Sequence, residues 1–331
     1  MKKHLVLLFV CLATLSWGQN GANYALFPYQ MNFVNPAYAG ADEMTAIQLS
    51  SRNQWVSIEN APKVMSFAAG MPYKNNLGVG LNVLNSSIFV EQKTVVSADA
   101  SYKLVLNDAS NLYLGLRGGG YFYNVDPLSL TTYGGVSDPS QQTQSSFTPV
   151  IGMGAYWQHE KFWVSYSIPQ LIKLGKLDAA VNSAILVQHY LAGGTSVPLS
   201  GNISLKPAVI LRKIGEQKPY MQYAGAIAFQ EMVELGASYV STGAAAITGL
   251  VRIGSFLDVG YAYEASTKSR LGGLKNQTHE FFIHVKFGGS GNTKADQPDE
   301  NSADDSDEKQ QDSPYLLKSG TTKVGIANAL Y

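Results

Sequence analysis

One cysteine, little charge and no long apolar run mark this 331-residue sequence, and each shortage excludes a class of protein. Cys11 lies inside an N-terminal leader, and the preceding Val10 is not the small residue a lipid-anchored leader has. The mature chain is therefore expected to hold no disulfide, no thiol nucleophile and no cysteine-bound metal. Charged side chains are 15% of the sequence, against about 25% in ordinary soluble proteins. Formal net charge is zero, so no basic field invites nucleic acid and no acidic field a cationic partner. Past the leader there is no run of about eighteen apolar residues, and hence no candidate transmembrane helix.

A catalytic constellation is also missing. His4 is in the leader, His159 in a predicted turn, and His189, His279 and His284 on predicted strands, with no HExxH among them. Glu280 and His284 share a strand face but stand about 13 Å apart along it, too far for direct proton relay. Gly115-Leu116-Arg117-Gly118-Gly119-Gly120 lacks the Lys-Ser/Thr of a phosphate loop and sits within an alternating strand, where glycine serves close packing or curvature. Asp304-Asp305-Ser306-Asp307 lacks the glycine and spacing of a calcium loop. The expectation is no enzyme, no cofactor and no metal.

What is present points to export. Lys2, Lys3 and His4 precede an apolar run from Leu5 to Leu15, and small Ser16 and Gly18 favour cleavage before Gln19. Losing Lys2 and Lys3 turns the balanced charge into −2. Glycine (32 residues) and tyrosine (19) are abundant, which suits strands with one lipid-facing side and aromatic ends. An exported chain without a helical span is either soluble or crosses the outer membrane as a closed barrel, because only helices and closed barrels satisfy backbone amides in lipid.

Alternation decides between these two. Thr94, Val96, Ala98, Ala100, Tyr102, Leu104 and Leu106 alternate with Lys93, Val95, Ser97, Asp99, Ser101 and Lys103. Leu112, Leu114 and Leu116 alternate with Tyr113, Gly115 and Arg117, and Phe281, Ile283, Val285 and Phe287 with Glu280, His284 and Lys286. A period of two places the first set of each on lipid and the second on a polar lumen. About fourteen strands are predicted, beginning near Met44, Pro62, Leu77, Thr94, Asn111, Phe147, Phe162, Ile185, Asn202, Tyr220, Met232, Ala244, Phe256 and Thr278. Connections at Tyr73–Asn76, Asn107–Ser110, His159–Lys161, Pro198–Gly201, Gln230-Glu231 and Gly254-Ser255 are short, as periplasmic turns are. Those at Asn85–Gln92, Asn124–Ser146, Pro169–Ala184 and Ala265–Gln277 are longer, with Ser241–Gly243 a short exception. The fold class is thus all-β, a transmembrane antiparallel β-barrel with both termini periplasmic.

Four regions follow: a signal peptide (1–18), an N-terminal periplasmic entrance segment (19–42), the barrel (43–287) and an acidic linker and tail (288–331). Residues 294–312 hold eight acidic residues against two lysines, a composition expected to be disordered. The segment from Ser313 to Tyr331 regains Tyr315, Leu316, Leu317, Val324 and Ile326 and reads either as a frayed end or as a docking peptide.

One further stretch is informative. Phe33-Val34-Asn35-Pro36-Ala37-Tyr38-Ala39-Gly40, followed by Arg52-Asn53-Gln54-Trp55, resembles the opening of the PorP/SprF family of Bacteroidetes outer-membrane proteins. Weaker echoes run to the end of the barrel, including Gly260-Tyr261-Ala262-Tyr263-Glu264, where relatives more often carry Asp at the last position. The resemblance implies a non-enzymatic part in type IX secretion or gliding. Its partners would be outer-membrane lipid, periplasmic ring, motor or peptidoglycan-linked proteins, and a secreted adhesin or its C-terminal domain. Asn35, Pro36, Ala37, Tyr38, Gly40, Arg52, Gln54 and Trp55 then serve the barrel's start or contact a partner. Asn35-Pro36 favours a turn, Gly40 suits positive φ, Arg52 is placed to meet a lumen carboxylate, and Trp55 to join an outer aromatic girdle. A passive porin and a soluble β-rich binding protein or hydrolase remain as alternatives.

Overall fold

The computed structural model describes residues 23–56, 58–74, 76–126, 144–171, 187–266 and 277–287. The leader, the longest loops and the acidic tail, with the readings attached to them, lie outside the described residues.

Fifteen strand segments form one antiparallel ring. They are β1 (Thr45–Gln54), β2 (Lys63–Pro72), β3 (Leu77–Ile88), β4 (Glu91–Asn107), β5 (Ser110–Val125), β6 (Gln144–His159), β7 (Phe162–Ile168) and β8 (Gln188–Thr195). There follow β9 (Val197–Ser200), β10 (Ile203–Ile214), β11 (Tyr220–Phe229), β12 (Val233–Val240), β13 (Ala244–Ile253), β14 (Leu257–Ser266) and β15 (Gln277–Phe287). Each pairs with its neighbours, β1 with β15 and β10 with β11, so the sheet closes on itself. β8 and β9 both pair with β10 and act as one interrupted stave, giving fourteen. Pro198, which has no amide to donate, sits in the short β9.

The ring is inside-out relative to a soluble protein. Leu116 (64% exposed) and Ile247 (72%) typify an apolar outer surface, while Gln48 and Glu280 are each 1% exposed on the inner one. Bands of exposed aromatics flank the wall: Tyr102, Trp157, Phe256 and Phe287 toward the short turns, and Phe122, Phe147, Tyr223 and Tyr239 toward the long connections. Such girdles sit at the two membrane interfaces.

The short turns gather at one end as expected, none exceeding the four residues between β2 and β3. The other end departs at one place. The longer connection expected over Asn85–Gln92 is a two-residue turn, Phe89-Val90, because β3 and β4 continue pairing to Ile88 and Glu91. Phe89 takes positive φ (54°) there, as a tight hairpin demands.

The largest departure is the N-terminal segment. It is not a periplasmic entrance: Asn23 to Glu43 runs through the lumen from the long-connection end to the short-turn end. Asn23 meets Arg212 and Tyr220 beside the β10–β11 connection, while Glu43 meets Lys103 near the β4–β5 turn. The described chain therefore starts at the end opposite Phe287, and not at the short-turn end with it. The physical reason lies in the segment's own apolar content. Ala25, Leu26, Phe27, Met31, Phe33 and Ala37 are all buried, and only the lumen offers these side chains cover from water.

Candidate functional site

The candidate site is the occupied lumen. Its plug descends through three single turns: a 3-10 turn at Phe27–Tyr29, a helical turn at Met31–Val34 and a 3-10 turn at Pro36–Tyr38. Asn35 is extended (φ −133°, ψ 113°), as a residue before proline must be, and its Oδ1 accepts from Ala37 N at 2.9 Å, capping the turn that Pro36 begins. Its Nδ2 donates to Ala155 O (2.9 Å) and Ser165 Oγ (2.7 Å) on β6 and β7. The Tyr38 ring packs edge-on against Tyr156 at 5.1 Å, and its hydroxyl donates to Asp42 (3.0 Å). Gly40 has φ +77°, and a Cβ there would lie 2.8 Å from Gly78 Cα. The motif from Asn35 to Gly40 is thus the lower half of the plug.

Glycines in the wall make room for it. A Cβ on Gly115 would fall 2.2 Å from Ala37 N, one on Gly154 2.0 Å from Asn35 Oδ1, and one on Gly78 2.1 Å from Ala39 O. Gly115 and Gly154 are cross-strand partners, so together they cut a flat notch across β5 and β6. Within the run from Gly115 to Gly120, Gly115 serves this purpose, whereas a Cβ on Gly119 or Gly120 would meet Ser97 or Phe147 of the wall and one on Gly118 nothing within 4 Å.

Charged clusters then clamp the plug at three heights. Glu280, on β15, accepts from Ala25 N (2.8 Å), Leu26 N (3.2 Å) and Gln30 Nε2 (2.7 Å) of the plug. Arg52 bridges Glu280 (3.3 Å) and Glu264 (2.7 Å). On the opposite wall Arg117 donates to Asp99 through Nε and Nη2, both at 2.7 Å, and to the carbonyls of Phe33 (2.9 Å) and Asn32 (2.8 Å). Toward the short turns Tyr29 donates to Glu234, which pairs with Lys206 (2.9 Å) and Arg252 (3.5 Å). His284 there lies between Asp42 (3.6 Å) and Asp258 (3.7 Å). Burial alone raises the Asp42 carboxyl, but the adjacent His284, the hydrogen bond from Tyr38 and the nearby Lys286 outweigh it and hold the group below its usual 3.8.

Burying this much charge is costly unless every ion is paired and hydrogen-bonded. The plug's backbone supplies part of that pairing: Glu280 and Arg117 each spend bonds on peptide groups that have no strand neighbour. Removing the plug would expose those ions, so wall and plug stabilise each other.

Of the residues singled out in the sequence, Asn35, Pro36, Ala37, Tyr38 and Gly40 come together in the plug, and Arg52 joins them through Glu280. Gln54 and Trp55 stand apart at the far end of β1, where their amides donate to Pro62 O (2.9 Å) and Gln277 O (2.7 Å). Sequence reasoning missed Glu280, Arg117, Asp99 and Glu234 as anchors and the glycines that receive the plug. Their signal was present: ionisable side chains and glycines on the lumen parity of strands.

Beside the upper part of the plug a cavity of about 770 Å³ remains toward the long-connection end, lined on the plug side by Asn23, Tyr24, Phe27, Phe33 and Val34. Solved structures similar to this chain are outer-membrane proteins of low identity. Acinetobacter baumannii Omp33 has a TM-score of 0.42 at 8% identity, covering 74% of this chain and 99% of its own. BamA from Haemophilus ducreyi lacking POTRA domains 1–3 has 0.39 at 9%, with 74% and 70% covered. A triple mutant of the Rhodopseudomonas blastica porin has 0.36 at 9%, with 74% and 99% covered. The architecture above rests on the strand ring itself, not on these likenesses. No curated protein sequence matches the chain. Residues 17–285 match the family described as Type IX secretion system membrane protein PorP/SprF. This chain, an outer-membrane β-barrel, belongs to that family.

Proposed function

We propose that this barrel serves type IX secretion as a closed, non-enzymatic outer-membrane component that assists export or surface anchoring of secreted proteins by binding partners. The observation that carries the reading is the plug: Asn23 to Glu43 occupies the lumen on buried ion pairs, where a solute channel needs a water-filled path. The partners proposed are ring, motor or peptidoglycan-linked proteins on the periplasmic side, and an exported adhesin or its C-terminal domain at the surface. A passive porin draws support only from the cavity, and the cavity stops at the plug.

Affinity purification of the tagged protein from its native outer membrane tests this. Secretion-apparatus components or an exported protein are expected in stoichiometric amounts; recovery of the barrel with lipid alone would contradict partner binding. Truncation after Gly291 is expected to leave barrel insertion intact and reduce the yield of periplasmic partners. An unchanged yield would refute a docking role for the tail.

A further inference from the structure

On the outer wall, across β11 to β14, a groove of about 670 Å³ opens toward the bilayer. Its floor is made by Gly225, Ala237 and Ala245 and its ridges by Tyr223, Tyr239 and Tyr263. A Cβ on Gly225 would meet nothing within 4 Å, so the wall is recessed there. Tyr223 and Tyr239 are 44% and 45% exposed beside it. A recess between aromatic ridges offers a chain more contact area than a smooth wall does, and on this face the chains at hand are lipid.

The groove leads to a polar, cationic rim. Cross-strand pairing runs in one row from Gly225 through Ala237, Ile247, Tyr263, His279 and Asn53 to Lys63. Strands of such barrels tilt by about 35–45°, so a row at right angles to them climbs the wall. Gly225 is mid-strand in β11, whereas Lys63 is the first residue of β2, at the long-connection rim. The Tyr261 hydroxyl holds Nδ1 of His279 at 2.7 Å, and Tyr263 packs edge-on to the same ring at 5.4 Å. Nε2 is left without a protein partner among the described residues, and the exposed Lys63 has no carboxylate partner among them. The imidazole and the ammonium stand two strand spacings apart, roughly 10 Å, with the Asn53 amide between them. Such donors match a broad phosphorylated headgroup, because charge-assisted hydrogen bonds to phosphate are the strong ones.

We propose that this groove is a specific site for an outer-leaflet lipid, with an acyl chain between the tyrosine ridges and its phosphorylated headgroup on His279 and Lys63. Apolar groove and cationic rim follow one another in the order of such a lipid's own parts. The inference concerns the outer wall and is independent of the plug and of the secretion role.

Native mass spectrometry of the full mature chain, released from micelles holding one added lipid at a time, tests it. The probes are diphosphoryl lipid A, dioleoylphosphatidate and the uncharged dioleoylglycerol. One copy of a phosphorylated lipid is expected to stay on the barrel, with an apparent affinity at least about fivefold above that of dioleoylglycerol, as one interfacial lysine provides. Ala237→Trp, which fills the floor from an exposed position on the outer face, is expected to abolish retention. Lys63→Gln combined with His279→Gln is expected to bring the phosphorylated lipid down to the level of dioleoylglycerol. Lys213→Gln removes an exposed lysine near the same rim on the far side of the ring and is expected to change nothing. Equal retention of charged and uncharged lipid, undiminished retention by Ala237→Trp, or an equal loss in Lys213→Gln overturns the proposal. If the double variant does not insert, the uncharged lipid and Ala237→Trp still decide it.

Discussion

Glu280 accepts four hydrogen bonds in the lumen, three from the plug and one from Arg52. Cutting it back leaves the buried Arg52 with Glu264 as its one remaining carboxylate and strands the Ala25 and Leu26 amides of the plug. Glu280→Ala is therefore expected to lower stability by about 3–5 kcal/mol, the usual cost of breaking a buried pair, read as an earlier urea midpoint in micelles. An unchanged midpoint would show that Glu280 does not clamp the plug. The wall glycines make a sharper case, because they act by shape alone. Gly115→Val is expected to displace Ala37 and unseat the lower plug while the strands still insert, whereas Gly225→Ala, with nothing within 4 Å of its Cβ, is expected to change nothing. Protease nicking of the N-terminal segment in the folded barrel distinguishes the two variants. Asp42 gives a pH dependence whose sign follows from its lowered value. A carboxyl held below 3.8 in the folded state contributes stability above that pH and loses it as pH falls further. Heat-resistant mobility is expected to weaken in acid below about pH 4, and Asp42→Asn to remove that acid step. At this scale the sequence is only half legible. Asn35 to Gly40 stood out as a special turn, but periodicity locates strands and has no means of placing a segment that lacks a period. Arg52 could be assigned to the lumen by parity, yet its carboxylate partners lie on β14 and β15, the far end of the chain.

The strands themselves were readable because lipid on one side and a polar lumen on the other impose a strict alternation. β3, β7, β11 and β13 begin at Leu77, Phe162, Tyr220 and Ala244, where the pattern starts. The misplacements have local causes. β3 runs on through the polar Asn85, Ser86 and Ser87, which pair with Thr94, Lys93 and Gln92 of β4, whereas the pattern reads Asn85 to Gln92 as a connection. β8 and β9 are split at Ser196 beside Pro198, which the pattern cannot distinguish from one stave. Leu116 tests the lipid-facing assignment. It lies within the 16-residue β5 and is 64% exposed. Leu116→Arg is expected to destabilise the inserted barrel by about 2–4 kcal/mol, as a cation near the bilayer midplane does, measured by reversible unfolding from vesicles. A neutral result would place Leu116 away from lipid.

For the whole molecule, wall and plug form one structure: the ions that the wall buries are the ions that the plug satisfies. Apolar clusters inside the lumen, such as Ala25 and Leu26 with Ala246, Leu250 and Phe282, join them further. A barrel built this way has its lumen occupied by its own N-terminal segment and leaves its rims and turns exposed. The family match places it in the outer membrane among type IX secretion proteins, and the filled lumen is the physical reason to look for partners instead of permeants. Conductance in planar bilayers tests this most directly. The intact mature protein is expected to show no steady channels, and a variant lacking residues 23–40 to show them if its barrel inserts. Steady conductance by the intact protein, equal to that of the deletion, would contradict the closed barrel on which this account rests.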